Sequence, residues 1–194
     1  RRFSPLVKKM KSIVDRSRTP FSLIYTCNAG EIPGDNWLQN PKVGGGRIIG
    51  EACHFVDIAL FISNSPIKTC QVVSLENPNG AENFGDTASI ILAFESGSIA
   101  CINYFANGHK SFPKERIEVF QGQQIMVLDN FRSLVAYGVS GFKKLKLFNQ
   151  NKGQNECCEA FVKSVENGDP CAISFQEQMQ VSQACIDIVT LMGK

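Results

Sequence analysis

A chain of 194 residues, 43% of them hydrophobic, can bury one substantial core and does not require two, so residues 1–194 read as a single domain. The net charge of +2 hides an asymmetry, because Arg1, Arg2, Lys8, Lys9, Lys11, Arg16 and Arg18 crowd the first 18 positions against Asp15 alone. This reads as a solvated helix face rather than a nucleic-acid surface, since aromatics do not interleave the basic run. No apolar run reaches the roughly 18 residues of a membrane span, nor does any stretch resemble a signal peptide.

Ser4 before Pro5 predicts a helix start, and Phe3, Leu6, Val7, Met10, Ile13 and Val14 form one apolar stripe after it. Thr19-Pro20 stops that helix, and residues 21–28 read as a buried strand ending at Asn28. Residues 29–43 are a loop by composition, with Gly30, Pro33, Gly34 and Pro41, yet they hold the only tryptophan, Trp37. A large aromatic there either packs the loop down or lines a pocket. Residues 48–62 read as a helix with Ala52, Phe55, Val56, Ala59 and Ile62 on its buried side, closed by Asn64 and Pro66.

From residue 68 the texture changes to short β-type runs: 68–75, 87–94, 98–105, 115–121, 124–128, 133–137 and 143–148. Short links without intervening helices predict antiparallel pairing, with a tight hairpin at Glu95-Ser96-Gly97-Ser98. Two helices close the chain. One spans 156–165 and stops at Asn167-Gly168; the other starts at a Ser174-Phe175-Gln176-Glu177 capping box and runs towards Met192. The expected class is α+β, a predominantly antiparallel, open-faced sheet of six to eight strands covered on one face by helices from both ends. If its second face is apolar, a partner subunit or another domain is the natural cover.

The eight cysteines are widely spread and mostly set in apolar runs, where a free thiol behaves as a small hydrophobe. There is no CxxC, and His54 and His109 are the only histidines, so no zinc site of standard spacing assembles locally and no metal is expected. This cysteine usage points to a reducing compartment, the cytoplasm.

The stretch with most chemistry is Gly44-Gly45-Gly46-Arg47-Ile48-Ile49-Gly50-Glu51-Ala52-Cys53-His54-Phe55-Val56-Asp57. Three glycines let the backbone approach something large, and Glu51, His54 and Asp57 recur every three residues on one predicted helix face, where neighbours can touch. Beside a glycine-rich entrance this looks like a proton-handling site, with His54 the natural base because its ordinary pKa is ~6.5. Asp57 reads as structural, and Glu51 as either functional or a favourable charge at its helix start. His109 reads as an exposed loop residue.

Several stretches together resemble one family. Arg1-Arg2-Phe3-Ser4-Pro5, Asn28-Ala29-Gly30 with Ile32-Pro33 and Trp37, the Gly44 to Asp57 run, and Phe112-Pro113-Lys114-Glu115-Arg116-Ile117-Glu118-Val119-Phe120 are similar, in that order, to the C-terminal domain of the Gfo/Idh/MocA oxidoreductases. These are the relatives of glucose-fructose oxidoreductase and inositol dehydrogenase, and the nearest branch is one sometimes fused to a zinc-type alcohol dehydrogenase domain. The resemblance implies a dihydrodipicolinate reductase-like fold, the substrate-binding and oligomerisation half of an enzyme that acts on the CH–OH group of a sugar, polyol or sugar derivative. NAD or NADP would be bound by an N-terminal Rossmann domain that also supplies a catalytic lysine from a Glu-Lys-Pro motif; neither that motif nor a GxGxxG turn occurs here. This chain alone is therefore expected to be inactive.

The family's helix histidine corresponds to His54. The aspartate the family commonly carries four residues earlier is replaced by Gly50, with Glu51 one residue later as a possible stand-in. Arg47, Asn28 and Lys114 are candidates to bind the substrate's hydroxyls, and Trp37 to stack on its ring. The expected partners are a sugar or polyol, the chain's own Rossmann domain and a second copy forming a dimer or higher oligomer, without nucleic acid or membrane. The alternative is a non-catalytic ligand-binding or oligomerisation module whose site is degenerate.

Overall fold

The computed structural model describes residues 1–40, 42–75 and 86–193, so Pro41 of the predicted loop lies outside the described residues. Helix α1 (Pro5–Val14) buries Leu6, Val7, Met10, Ile13 and Val14, the stripe its spacing predicts. The Ser4 hydroxyl does not cap this helix; it donates to the Asn151 carbonyl at 2.7 Å and ties the start of α1 to a distant turn. Strand β1 (Ser22–Asn28) follows, then a loop carrying one 3-10 turn (Trp37–Gln39).

The helix expected from residue 48 begins as a π-turn (Ile48–Ala52) and becomes regular only in α2 (Cys53–Ser63), which ends at Asn64 in the left-handed conformation. Such a wide turn inserts a residue into the helix ladder and re-aims the side chains before it relative to those after it. Strands β2 (Ile67–Ser74), β3 (Ala88–Phe94), β4 (Ile99–Phe105), β5 (Glu115–Gln121), β6 (Gln124–Asp129), β7 (Ser133–Tyr137) and β8 (Lys144–Lys146) come next. Helices α3 (Gln154–Asn167) and α4 (Phe175–Leu191) close the chain, α3 stopping at Gly168 with φ of 68° and α4 opening on the expected Ser174–Glu177 capping box.

The eight strands form one sheet in the order β2-β3-β4-β1-β5-β6-β7-β8. It is a mixed sheet, which corrects the expectation of antiparallel pairing: β1 lies parallel to β4 and antiparallel to β5. Links of a few residues force antiparallel neighbours, but residues 29–98 separate β1 from β4, ample for a parallel crossover. The first strand is thereby inserted between two later ones and becomes the centre of the sheet.

One face is buried beneath the helices, with α1 over β6 and β7, α2 over β4 and α4 over β2. Leu23, Tyr25, Ile90, Leu92, Ala100, Ile102, Ile117, Val119, Met126, Leu128 and Leu134 from the sheet meet Phe55, Val56, Ile58, Ala59 and Ile62 of α2 there. The opposite face is not covered by the described residues, and Val73, Ile91, Ile99, Phe120 and Tyr137 stand 39–76% exposed on it. All eight cysteines are free; Cys27 and Cys185 are buried, while Cys158 and Cys171 are exposed. Among the described residues no helix is long and apolar enough to cross a membrane.

Candidate functional site

Strand register brings the chemistry together. Cys27 near the end of β1 lies opposite Tyr104 of β4 on one side and Glu115 of β5 on the other, and strict alternation turns all three towards the helices. All three are fully buried. A buried hydroxyl and a buried carboxylate each demand partners, and the helix layer supplies them.

Glu51, on the π-turn, is the hub of the first cluster. Its Oε1 accepts from Lys114 Nζ at 2.7 Å, and its Oε2 accepts from the Tyr104 hydroxyl at 2.6 Å. Arg47 Nη2 approaches Oε2 at 3.5 Å, and the same guanidinium donates to the carbonyls of Gly30 at 2.7 Å and Ala29 at 3.3 Å. Burial pushes the Glu51 carboxyl up, but the hydrogen bonds from Lys114 and Tyr104 and the charges of Lys114 and Arg47 outweigh it and hold the pKa at about 2. A carboxylate so stabilised is a poor proton acceptor near neutrality; Glu51 is placed to fix cations. Burial and the Glu51 charge keep Tyr104 protonated, as a donor.

Glu115 is the hub of the second. It accepts from the Tyr25 hydroxyl, from Lys152 Nζ at 2.7 Å and from Arg1 Nη2 at 3.3 Å. Between the clusters lies Phe55, its ring 4.6 Å from that of Tyr25 and 5.9 Å from that of Tyr104, with the Arg1 guanidinium 5.0 Å above it. Phe55 thus locks the α2 turn that carries His54. Burial, then the charges of Glu115 and Glu51, push the Cys27 thiol up to about 12, so it is unreactive.

The expected row of touching Glu51, His54 and Asp57 does not form, because the π-turn separates Glu51 from the regular helix. Asp57 faces the other way and takes a bidentate contact from Arg2, at 2.5 Å and 3.0 Å, while Arg2 also holds Glu177 of α4 at 2.6 Å. Asp57 is scaffold. His54 is exposed, and no hydrogen bond engages its ring among the described residues. Partial burial, then the Arg1 charge, hold its pKa below the ordinary value, which leaves a neutral imidazole near pH 7.

The remaining candidates separate. Asn28 is turned under residues 107–113, donating to the carbonyls of His109 at 2.8 Å and Phe112 at 3.2 Å; a Cβ on Gly108 would fall 1.9 Å from its Oδ1. Asn28 therefore shapes a loop. That loop borders a cleft of about 670 Å³ lined by Glu31, Pro33, Gln39, Arg47, Asp86 and Asn107, among others. Trp37 is 63% exposed and does not line it. Lys114 is half-exposed beside Glu51, with two of its three N–H donors unused by that carboxylate.

The glycine run also differs from expectation. A Cβ on Gly44 would lie 2.6 Å from the Trp37 carbonyl oxygen and the Leu38 Cα, while Gly45 and Gly46 take φ of +69° and +81°. The close approach that Gly44 admits is to the chain's own 37–38 turn, while Gly45 and Gly46 supply positive φ. Nor do any His, Cys, Asp and Glu residues among those described group in threes to hold a metal ion.

Tyr104, Tyr25 and Glu115 escape a search for histidine-centred motifs. Their signal is nonetheless present: in Glu115-Arg116-Ile117-Glu118-Val119 the apolar alternation places Glu115 in the core, where a carboxylate must be paired.

Comparison with known proteins bears on the family and the fold. The family model of the GFO/IDH/MocA C-terminal domain matches residues 19–123. The chain is 33% identical over 138 residues to an uncharacterized oxidoreductase, YrbE, of Bacillus subtilis, covering 68% of this chain and 39% of that protein. It is 25% identical over 187 residues to a myo-inositol 2-dehydrogenase of Thermotoga maritima, covering 91% of this chain and 55% of that protein. Its fold superposes on the aldose-aldose oxidoreductase of Caulobacter crescentus with a TM-score of 0.78, at 14% identity, over 99% of this chain and 59% of that one. The chain therefore spans four- to six-tenths of the length of these proteins.

Proposed function

This chain belongs to the GFO/IDH/MocA family, whose C-terminal domain it contains, and from that premise we propose that it is the substrate-binding part of an NAD(P)-dependent oxidoreductase acting on the CH–OH group of a sugar, polyol or sugar derivative. His54 is the base. The observation that carries this reading is an exposed imidazole that no hydrogen bond engages among the described residues, on the helix that continues the turn carrying Glu51. It can accept the hydroxyl proton as the carbon is oxidised and return it in the reverse direction.

Lys114 and Arg47 hold the substrate's other hydroxyls through donors left over from their internal partners, and Asn28 contributes by fixing the 107–113 loop. Trp37 offers a stacking surface outside the cleft rim. The hydride acceptor is NAD or NADP. The coenzyme is held by an N-terminal Rossmann domain, a reading supported by the greater length of the relatives and by the absence of a GxGxxG turn from this sequence. The same reading makes the protein cytoplasmic, with the exposed sheet face as its subunit interface and, in the branch it resembles, a fused zinc-type alcohol dehydrogenase domain.

The test is a screen of sugars, polyols and nucleotide sugars with NAD and NADP on the full-length protein and its His54→Ala variant. Loss of the base should lower kcat by about 10²- to 10⁴-fold. Near-normal turnover by the variant would remove His54 from the chemistry. A second reading, a non-catalytic ligand-binding or oligomerisation module, is favoured by Gly50 at the aspartate position and by the full engagement of Glu51. It predicts ligand binding without turnover in the same screen.

A further inference from the structure

We propose that Tyr104 is a positioning residue for the substrate-binding lysine: its buried hydroxyl assigns the two oxygens of Glu51, so that one is kept for Lys114. This rests on the reading of Lys114 as a substrate-binding group. Tyr104 itself is fully buried and cannot touch a ligand.

The argument is one of shared acceptors. Tyr104 and Arg47 both address Glu51 Oε2, at 2.6 Å and 3.5 Å, which leaves Oε1 to Lys114 at 2.7 Å. Arg47 cannot swing away, because the carbonyls of Gly30 and Ala29 hold it and its guanidinium lies 5.3 Å from the centre of the Tyr104 ring. Its Nη2 is too far from Oε2 to make a strong bond, so a carboxylate released by Tyr104 would turn towards Arg47. That turn withdraws Oε1 from Lys114, the one half-exposed member of the cluster, and its long side chain is then free to disperse among rotamers. Tyr104 keeps its place through its ring, packed on Phe55 and set in β4 opposite Cys27, independently of the hydroxyl. A phenylalanine there preserves the packing and removes only the director of the carboxylate.

The experiment uses the full-length protein carrying Tyr104→Phe, Lys114→Gln and both together, with the best substrate from the screen. Tyr104→Phe should raise KM about tenfold with kcat little changed, the loss expected for one hydrogen bond to a charged group. In the Lys114→Gln background it should add nothing further, because the group it positions is already gone. Multiplying losses, or a fall in kcat with KM unchanged, would overturn the proposal. A second readout needs no turnover: NMR titration of a 13C-labelled Glu51 carboxyl should show its midpoint rising by about one unit in Tyr104→Phe. An unmoved midpoint overturns the positioning role whatever the enzyme does, whereas absence of turnover with every substrate counts against the dehydrogenase reading alone.

Discussion

Replacing Glu51 by glutamine tests whether the site is held by charge. The change keeps the shape and an oxygen acceptor for Tyr104 or Lys114, and removes the negative charge that three neighbours share. Lowering a carboxyl pKa from 4.5 to about 2 corresponds to on the order of 3 kcal/mol of preferential stabilisation of the ionised form. One-fifth exposure of the side chain trims this by screening, to about 2 kcal/mol. The sign follows from linkage. Because the folded-state pKa is depressed, the contribution is complete above the unfolded pKa of ~4.3 and disappears as pH falls through the folded value near 2. Urea unfolding of the 194-residue chain at pH 7 should therefore show the variant losing about 1 M in midpoint, for a slope of about 2 kcal/mol/M. The gap between the two proteins should narrow steadily below pH 4.5 and nearly close at pH 2 to 2.5. A gap that stays constant across that range would refute the reasoning, since it would show that glutamine is destabilising through packing and not through lost charge.

Two further outcomes are expected beyond the His54 and Tyr104 variants. Gly44→Ala places a methyl 2.6 Å from backbone atoms of residues 37 and 38, which cannot rotate away, so it should cost about 1–3 kcal/mol and appear as a lowered Tm. On the proposed subunit interface, Ile99→Asp should lower the oligomeric state of the full-length protein in light scattering while its circular dichroism stays unchanged; a monomeric parent protein or an unaltered oligomer would remove this face from assembly.

Much of the local structure is legible in the chain itself. The α1 stripe, the Ser174–Glu177 capping box, the Gly168 stop and the alternating strands each depend on residues within a few positions of one another, so spacing and propensity suffice to read them. The same holds for the prominence of His54 and Glu51, which stand as short, polar interruptions of an otherwise apolar or glycine-rich run.

What only the tertiary structure decides is which distant groups meet. Nothing near residue 24 says that β1 will enter the sheet between β4 and β5, yet that insertion makes the sheet mixed and sets Tyr104, Cys27 and Glu115 in one row. Glu51 finds its partners 53 and 63 positions away, and a one-residue widening of its helical turn, invisible to a periodicity of three to four, sends it to them instead of to His54. Local patterns set which face of each element is apolar. The assignment of each buried charge to its partner is made only when the sheet closes, because the cost of leaving a carboxylate unpaired is felt only after water has been excluded.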